Sequence, residues 1–341
     1  MKETKILGID LAKTNFSICE TSEDGTVLRR KAVKRKELIE FTANYQSCLI
    51  GMEACGGSHY WGRLFLSQGH QVKMMTVDEV KRRAPSHKKN DASDAEAIAE
   101  TARNKNVKAV RIKEVKQQDL DVLRNLREQY LKQKVALINQ AHAVCLEYGV
   151  ALPKSRSLSS MGEIIAAIED DATELTAVAR EVVWQLIEEA KELKEKAVAI
   201  EKKIEALIIN EENYKLLKTI PGVGLITAAT ILSHTGGSVE QFKNGRQFAA
   251  YLGLVPKQYS TGGKTSLRGI TKHGNVDIRK LLVLGTRAVM VKSENRKDKI
   301  SHWITQKKTA KGFMKANIAL ANKTARIIYA VLKMQKAYSV V

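Results

Sequence analysis

The sequence predicts an α/β domain at the N-terminus, followed by a long helical region and a mainly α-helical domain. Short apolar segments alternate with helical patterns over residues 1–112, which is typical of a mixed sheet packed against helices. Residues 113–212 carry almost only helical periodicity, and residues 213–341 combine helical segments with a Gly-rich centre. A chain of 341 residues is long enough for three such domains to have hydrophobic cores of their own.

In the first domain, apolar segments bounded by turn residues predict strands, and amphipathic segments predict helices. We expect strands at 5–10, 15–20, 26–32, 48–53 and 70–76, and helices at 36–45, 60–67 and 92–103. Two of the strands end in a carboxylate, Asp10 and Glu53, and the third helix begins with two more, Asp91 and Asp94.

These four acids together predict a metal site. Strands that end in acids place oxygen ligands at one edge of a sheet, and Asp91 and Asp94 share one face of a helix. Such ligands suit Mg²⁺, and paired Mg²⁺ ions suit phosphodiester chemistry. Taken singly, Asp10 could be a turn residue and Asp91 a helix cap. Glu53 follows an apolar strand directly, where a charge is costly to bury without a partner or a metal.

Residues 113–212 are predicted to form two long helices with coiled-coil character. The second helix has an apolar seam at alternating intervals of four and three residues: Leu186, Ala190, Leu193, Ala197, Ile200, Ile204 and Leu207. A less regular seam spans 123–144, and the segment 152–155 contains Pro153, which breaks the first helix. We therefore expect the helices to return antiparallel, either as intramolecular packing or as a dimerisation arm that makes the protein an oligomer.

The net charge of +20 is concentrated near the C-terminus. From residue 243 onwards the chain has 21 Lys and Arg against three acids. Charge of one sign repels itself unless a polyanion neutralises it, so nucleic acid is the expected partner. A basic surface that serves solubility alone is the alternative.

The remaining composition limits the class of protein. The hydrophobic content of 44% is ordinary for a globular chain, and no apolar segment reaches the roughly 20 residues of a membrane span. The four cysteines show no CxxC pairing and no neighbouring histidine cluster, so we expect reduced thiols in a cytoplasmic protein and no zinc site.

Two segments of the last domain have the composition of phosphate-binding turns. The sequence Pro-Gly-Val-Gly that contains Gly222 and Gly224 lies between helical patterns at 214–220 and 225–234. This arrangement predicts a helix-hairpin-helix whose backbone N–H groups bind a phosphate without reading sequence. An ordinary turn between two helices is the alternative.

The second segment is a Gly-rich loop around Ser260. Gly262 and Gly263 would let the backbone approach a phosphate closely, although the GxxxxGK[ST] spacing of a P-loop is absent. The nearby cations are expected to contact nucleic acid: Lys257, Lys264, Arg268, Lys272, Arg279 and Lys280. Ser260 could attack a phosphodiester as a nucleophile or only hydrogen-bond to a phosphate.

In this order, the motifs around Asp10, Glu53, Asp91, Gly222 and Ser260 resemble the DEDD transposases of the insertion-sequence one-ten family. The STGGK sequence that begins at Ser260 looks like the eleven-eleven branch of that family, and Piv-type DNA invertases are relatives. The resemblance runs nearly end to end. It implies a RuvC-like (RNase H fold) catalytic domain at 1–112, a coiled-coil region at 113–212 and a transposase domain at 213–341.

The resemblance also implies the roles of individual residues. Asp10, Glu53, Asp91 and Asp94 correspond to the DEDD ligands of Mg²⁺, and Ser260 corresponds to the serine of the transposase domain. Some members carry two serines before the glycines, whereas this chain has Ser260 followed by Thr261, which is the alternative nucleophile. Family members work as dimers or tetramers in which domains of different subunits share a site, guided by a bridge RNA that pairs with donor and target DNA.

The expected activity is DNA strand exchange by a recombinase in the bacterial nucleoid. Ser260 would form a covalent serine–DNA link, with Mg²⁺ at the carboxylates. Two other functions remain open from the residues alone. A RuvC-like Holliday-junction nuclease would use a metal-activated water, and a non-catalytic nucleic-acid-binding scaffold would use the acids only as caps and turns.

Overall fold

The computed structural model describes residues 5–84, 91–152, 158–294, 296 and 298–339, and among these it leaves the side chains of 91, 158–161, 163, 264 and 265 undescribed. The chain divides into two compact units between Glu114 and Val115. The further division that the sequence predicts at residue 212 stays a prediction.

The first unit is a five-stranded mixed sheet covered by helices. In sequence order its strands are β1 (Ile6–Asp10), β2 (Asn15–Thr21), β3 (Val27–Lys34), β4 (Leu49–Glu53) and β5 (Gln71–Met75). The spatial order is β3-β2-β1-β4-β5. The first three strands pair antiparallel, and β1, β4 and β5 pair parallel.

The helices of this unit are α1 (Arg35–Ala43), α2 (Ser58–Ser67), α3 (Val77–Lys81) and α4 (Asp91–Arg103). All five predicted strands and all three predicted helices are confirmed, with ends that shift by at most two residues. The sequence analysis missed α3, because a helix of five residues is too short to show a periodicity.

Two apolar layers hold the sheet between helices. On one face, Leu7 and Ile50 belong to a core that also contains Trp61 and Phe65 of α2. On the other face, a smaller core contains Ile98 and other residues of α4. Because both faces are covered, the central strands β1 and β4 are apolar along nearly their whole length, as parallel strands in a sheet interior must be.

The second unit begins with two long helices, α5 (Val115–Glu147) and α7 (Ala177–Ile208), joined through α6 (Leu158–Glu169). They run antiparallel, because Leu120 near the start of α5 shares a core with Ile204 near the end of α7. Midway along, the Arg127 Nε atom lies 2.7 Å from a carboxylate oxygen of Glu201. The predicted break at Pro153 lies outside the described residues.

The apolar seam of α7 differs from the predicted one near both of its ends. At the beginning, Ile187 is fully buried and the predicted Leu186 is only half-buried. At the end, Leu207 is exposed and Ile208 is buried in its place, because the last interval after Ile204 is four residues and not three. A straight α-helix drifts relative to a strict 3.5-residue repeat, and this shift follows that drift. The coiled-coil assignment itself stays a prediction.

The remaining elements pack as helices around one core, with a hairpin on the outside. The helices are α8 (Glu212–Lys218), α9 (Leu225–Thr235), α10 (Gly245–Tyr251), α11 (Val276–Ser293), α12 (Lys299–Lys311) and α13 (Phe313–Met334), and the hairpin strands are β6 (Pro256–Thr261) and β7 (Lys264–Ile270). The core includes Ile231, Phe248, Leu282 and Ile328. None of the described helices combines the length and the apolar composition that crossing a membrane would require.

Candidate active site

Asp10 and Glu53 end neighbouring strands at one edge of the sheet. β1 and β4 pair parallel with Ile9 opposite Met52, so the residues that follow, Asp10 and Glu53, are also neighbours. Side chains alternate between the faces of a strand. Asp10 therefore lies on the same face as Gly8, and Glu53 lies on the same face as Gly51.

Helix α4 packs directly onto this face at the two glycines. A Cβ atom on Gly8 would lie 2.1 Å from the carbonyl oxygen of Ala95, and one on Gly51 would lie 2.5 Å from the Cβ of Ala102. Only glycine permits such an approach of helix to sheet. Because Asp94 directly precedes Ala95, the docking brings the first turn of α4 to the edge where Asp10 and Glu53 end.

The electrostatics show that three carboxylates lie near one another. Burial raises the pKa of Glu53 above its usual value, and the negative charges of Asp10 and Asp94 raise it further, while Lys81 acts in the opposite direction. Asp10, Glu53 and Asp94 are each half-buried. Asp91 is the first residue of α4, one turn before Asp94, and its side chain lies outside the described residues.

The donor chemistry of this edge fits a hard divalent cation. The donors are carboxylate oxygens, which Mg²⁺ prefers, and a cation would relieve the repulsion that raises the pKa of Glu53. Among the described side chains, no three His, Cys, Asp or Glu residues lie close enough together to form a complete metal-binding group. The undescribed carboxylate of Asp91 is the fourth member of the predicted set.

Ser260 lies on a β-hairpin, which corrects the expectation of a Gly-rich loop. It is the fifth residue of β6 and pairs with Thr265 of β7. Gly262 and Gly263 form the two-residue turn, with φ angles of 56° and 75° that favour glycine. A Gly-Gly pair between β-favouring residues is a hairpin signal that could have been recognised from the sequence.

The Ser260 hydroxyl is held on an exposed strand. The side-chain Nε2 of Gln258 donates a hydrogen bond of 2.9 Å to the Oγ of Ser260. Every residue of β6 is exposed, so a phosphate can approach the hydroxyl without rearrangement of the core. Tyr259, the neighbour of Ser260, stacks with Arg268, whose Cζ lies 4.6 Å from the ring centroid.

The cations that were expected around Ser260 fall into two groups. Lys257, Arg268 and Lys272 are exposed. Arg279 is turned inward: its Nη1 donates to the carbonyl oxygens of Leu252 at 2.8 Å and His273 at 3.1 Å. It therefore supports the connection before α11.

Two further predicted cations need a separate description. The Nζ atom of Lys280 donates to Glu128 of α5 at 2.8 Å, an exposed pair that a phosphate could replace. The side chain of Lys264 lies outside the described residues. Phosphate binding by these six cations stays a prediction.

The predicted helix-hairpin-helix has the expected helices α8 and α9, joined by the turn that contains Gly222 and Gly224. Gly222 has a φ of 83° and packs on Gly285 of α11: a Cβ on Gly285 would lie 2.0 Å from the carbonyl oxygen of Gly222. Gly224 is exposed at the N-cap of α9, where the first N–H groups of a helix lack partners within the helix. Gly285 was not predicted from the sequence, because the role of a glycine inside a helix depends on its tertiary neighbour.

Two family models match this chain. One, described as a transposase and named for DEDD enzymes of IS110 type, matches residues 7–149. The other, described as "Transposase IS116/IS110/IS902 family", matches residues 214–301. The first match contains all four predicted carboxylates, and the second contains Ser260 together with the Gly222 turn.

Several curated proteins are similar over nearly the whole chain. The transposase for insertion sequence element IS1111A of Coxiella burnetii is 36% identical over 338 residues, which cover 99% of this chain and 92% of the relative. The transposase for insertion sequence element IS1328 of Yersinia enterocolitica is 33% identical, and the match covers 99% of this chain and 100% of the relative. A probable family 20 transposase of Pseudomonas aeruginosa is 32% identical, and the match covers 97% of this chain and 98% of the relative.

Proposed function

Because the chain belongs to the IS110 (insertion-sequence one-ten) family of transposases, we propose that it cuts and rejoins DNA strands through a serine–DNA intermediate in a Mg²⁺-dependent reaction. The proposed Mg²⁺ site is supported by one observation: Asp10, Glu53 and Asp94 converge at one edge of the sheet, and the pKa of Glu53 is raised there. Carboxylates that repel one another in the absence of a cation are typical of a cation site.

The carboxylates would hold the cation, and the hairpin would supply the nucleophile. Asp10, Glu53, Asp91 and Asp94 are the proposed ligands, and a bound Mg²⁺ would neutralise the charge of the phosphoryl oxygens. The Oγ atom of Ser260 attacks the phosphorus as the bond to the leaving oxygen breaks. The proton of the serine hydroxyl ends on that leaving oxygen, so a strand remains linked to the protein as a phosphoserine ester.

The neighbours of Ser260 support this role by position and charge. The amide of Gln258 orients the hydroxyl by its hydrogen bond, and the guanidinium of Arg268 lies on the same hairpin. An exposed cation near the phosphate stabilises the charge that develops during attack. We also propose that Lys257, Lys264 and Lys272 contact phosphates, and that the N-terminus of α9, at the exposed Gly224, binds a phosphate.

The proposed partners follow from the charge and from the family. The excess of 21 basic over three acidic residues after residue 242 supports binding of more than one polyanion at a time. We propose donor and target DNA together with a guiding bridge RNA, and a homodimer or tetramer on nucleic acid. Purification of the protein with its element's non-coding DNA co-expressed would test for bound RNA.

The experiment for the serine is a covalent-adduct assay on a cognate junction substrate with Mg²⁺. The wild-type protein should give a protein–DNA adduct that survives denaturing electrophoresis, and Ser260→Ala should remove it. Ser266→Ala is the matched control, because Ser266 is an exposed serine on the other strand of the same hairpin, opposite Tyr259. That variant should keep the adduct.

Other results would each contradict a part of the proposal. An adduct that persists in Ser260→Ala and disappears in Thr261→Ala would identify Thr261 as the nucleophile. Hydrolysed ends without any adduct, unchanged in Ser260→Ala and abolished in Asp10→Ala, would indicate a RuvC-like junction nuclease that uses water. The nuclease is the second candidate, since the carboxylates lie in a unit with its own core.

A further inference from the structure

A large groove lies on the outer side of the second unit, between the hairpin and the last two helices. Its volume is about 1,110 Å³. Pro256, Leu267 and Arg268 of the hairpin form one wall, Trp303 of α12 lies at a second, and residues of α13 form the floor. This volume exceeds the roughly 300–1,000 Å³ that pockets for small molecules usually have.

The lining of the groove is positively charged. Lys315, Lys323 and Arg326 of α13 line it, and with Lys311 at the end of α12 and Arg268 of the hairpin the lining contains five cations. Not one of the lining side chains that the structure describes is acidic. From Lys315 to Arg326 the helix rises by about 16 Å, which equals the axial length of about five nucleotides in one strand of B-form DNA.

Aromatic and apolar groups lie beside the cations. The Nζ atom of Lys323 lies 4.6 Å from the ring centroid of Trp303, so a cation–π contact fixes the indole between α12 and α13. Pro256, Leu267 and Ile318 add an apolar surface within the same groove. Leu267 is 65% exposed, so its side chain is accessible to a ligand in the groove.

Two contacts fix the part of α13 that carries Lys323 and Arg326. The side-chain Nδ2 of Asn322 donates to the carbonyl oxygen of Leu254 at 3.1 Å, which ties α13 to the segment before the hairpin. A Cβ on Gly245 would lie 3.2 Å from the Cα of Arg326, so α10 packs closely on α13 one turn further along. The backbone that carries these cations is therefore held in place, and only their side chains lose freedom when a ligand binds.

We infer that this groove binds an unpaired nucleic-acid strand, with phosphates on Lys315, Lys323 and Arg326 and bases against Trp303 and the apolar wall. Cations that track a backbone, beside aromatic rings on which bases stack, are the two features of single-strand sites. Of the five sequence-predicted cations whose side chains the structure describes, Arg268 alone lines the groove. The inference rests on the proposed function only in taking nucleic acid as the ligand class.

The test measures equilibrium binding of the full-length chain without a divalent cation, so a failure of the serine chemistry cannot affect it. Fluorescence anisotropy is recorded with labelled oligo(dT), oligo(U) and a DNA duplex, each of 12 residues or base pairs, at several salt concentrations. The groove variant is Lys315→Gln/Arg326→Gln, which removes two exposed cations at the ends of the floor. The matched control is Lys202→Gln/Lys203→Gln, which removes two exposed cations of α7 in the same unit.

The groove variant should bind the single strand at least tenfold more weakly, and the control should change affinity by less than twofold. The slope of log affinity against log salt should decrease in magnitude by about 1.4 in the groove variant, since each lost phosphate contact on a single strand accounts for about 0.7. Trp303→Leu should weaken binding without a change in slope. Oligo(dT) and oligo(U) together show whether the strand is DNA, RNA or either.

Two results would overturn the inference. Equal weakening by the groove and control variants would mean that only the overall charge matters. A groove variant that loses duplex binding but keeps single-strand binding would assign the surface to duplex DNA. Unchanged circular dichroism and melting temperature in each variant confirm that the fold is intact.

Discussion

The backbones of Gly222 and Gly285 touch where the turn between α8 and α9 packs on α11. An ideal Cβ on Gly285 would lie 2.0 Å from the carbonyl oxygen of Gly222, and one on Gly222 would lie 3.0 Å from the carbonyl carbon of Gly285. The predicted phosphate-binding turn is therefore fixed by Gly285, which lies 63 residues further along the chain. Loss of this contact would displace the turn and α9 together.

Gly285→Ala should destabilise the second unit by about 2–3 kcal/mol, because the added methyl group meets backbone that cannot move aside. Thermal unfolding followed by calorimetry measures the effect. Gly162→Ala is the matched control, since Gly162 also lies within a helix but has open space around it. There alanine should be neutral or stabilising by up to about 1 kcal/mol, from helix propensity alone. Equal effects of the two substitutions would contradict the packing argument.

Gly8→Ala should loosen α4 from the sheet, because a Cβ there would lie 2.1 Å from the carbonyl oxygen of Ala95. The expected result is faster hydrogen exchange in peptides of α4 and loss of the proposed Mg²⁺-dependent reaction, as Asp94 leaves the sheet edge. Gly56→Ala serves as the control, because no atom of the described residues lies within 4 Å of its Cβ position. Unchanged protection of α4 in Gly8→Ala would show that the helix can shift without cost.

Lys5→Gln should change how the stability of the first unit depends on pH. Burial acts to raise the pKa of Glu20, but the hydrogen bond from Lys5, at 2.8 Å, acts against it together with Tyr45 and the charge of Arg29, and the net result is a lowered pKa. A lowered folded-state pKa contributes stability above the unfolded value near 4.5, and this contribution is lost as the pH falls through the folded value.

In Lys5→Gln we expect a loss of about 1–2 kcal/mol at pH 7, which disappears as the pH falls below the lowered pKa of Glu20, where this carboxyl is protonated in both proteins. Hydrogen exchange of β1 and β2 amides against pH measures it. Lys36→Gln is the control: its pair with Glu40, at 4.0 Å, is fully exposed and should contribute under about 0.5 kcal/mol. A constant difference at all pH values would exclude Glu20 as the cause.

Thiol reactivity should separate the four cysteines. Cys55 is exposed, whereas Cys19, Cys48 and Cys145 are buried, and all four are free. A disulfide-exchange reagent should therefore titrate one thiol in the native protein and four after denaturation. Cys55→Ser should leave no rapidly reacting thiol, and a second fast thiol in the native protein would contradict the burial pattern.

The Cys48 thiol should make the stability of the first unit depend on pH in the alkaline range. Burial, with a smaller contribution from the charge of Glu20, raises the pKa of Cys48 to about 12 from its usual 9.0. A raised folded-state pKa means that the associated stability is present below pH 9 and is lost as the pH rises towards 12. Cys48→Ala should flatten the alkaline decline in the melting temperature of the first unit, and an unchanged decline would contradict this assignment.

The elements of the first unit could be recognised from local signals in the sequence. Its strands and helices are marked by apolar segments of five to eight residues, turn residues between them, and helical spacing. The acids Asp10 and Glu53 were recognisable because each ends an apolar strand. Hydrophobic periodicity also predicted the two long helices of the second unit, although Ile187 and Ile208 are the buried residues of the seam where Leu186 and Leu207 were expected.

The roles of the glycines and the cations became apparent only from the packing of the elements. Gly8, Gly51 and Gly285 each allow another segment to pack closely against the backbone. In each case that segment lies far away in sequence, so the sequence around the glycine does not indicate its role. In the same way, charge alone could not separate Arg279, which supports a loop, from Lys315, which lines a groove. Local sequence specifies local conformation, but a contact between distant segments depends on how all the elements pack together.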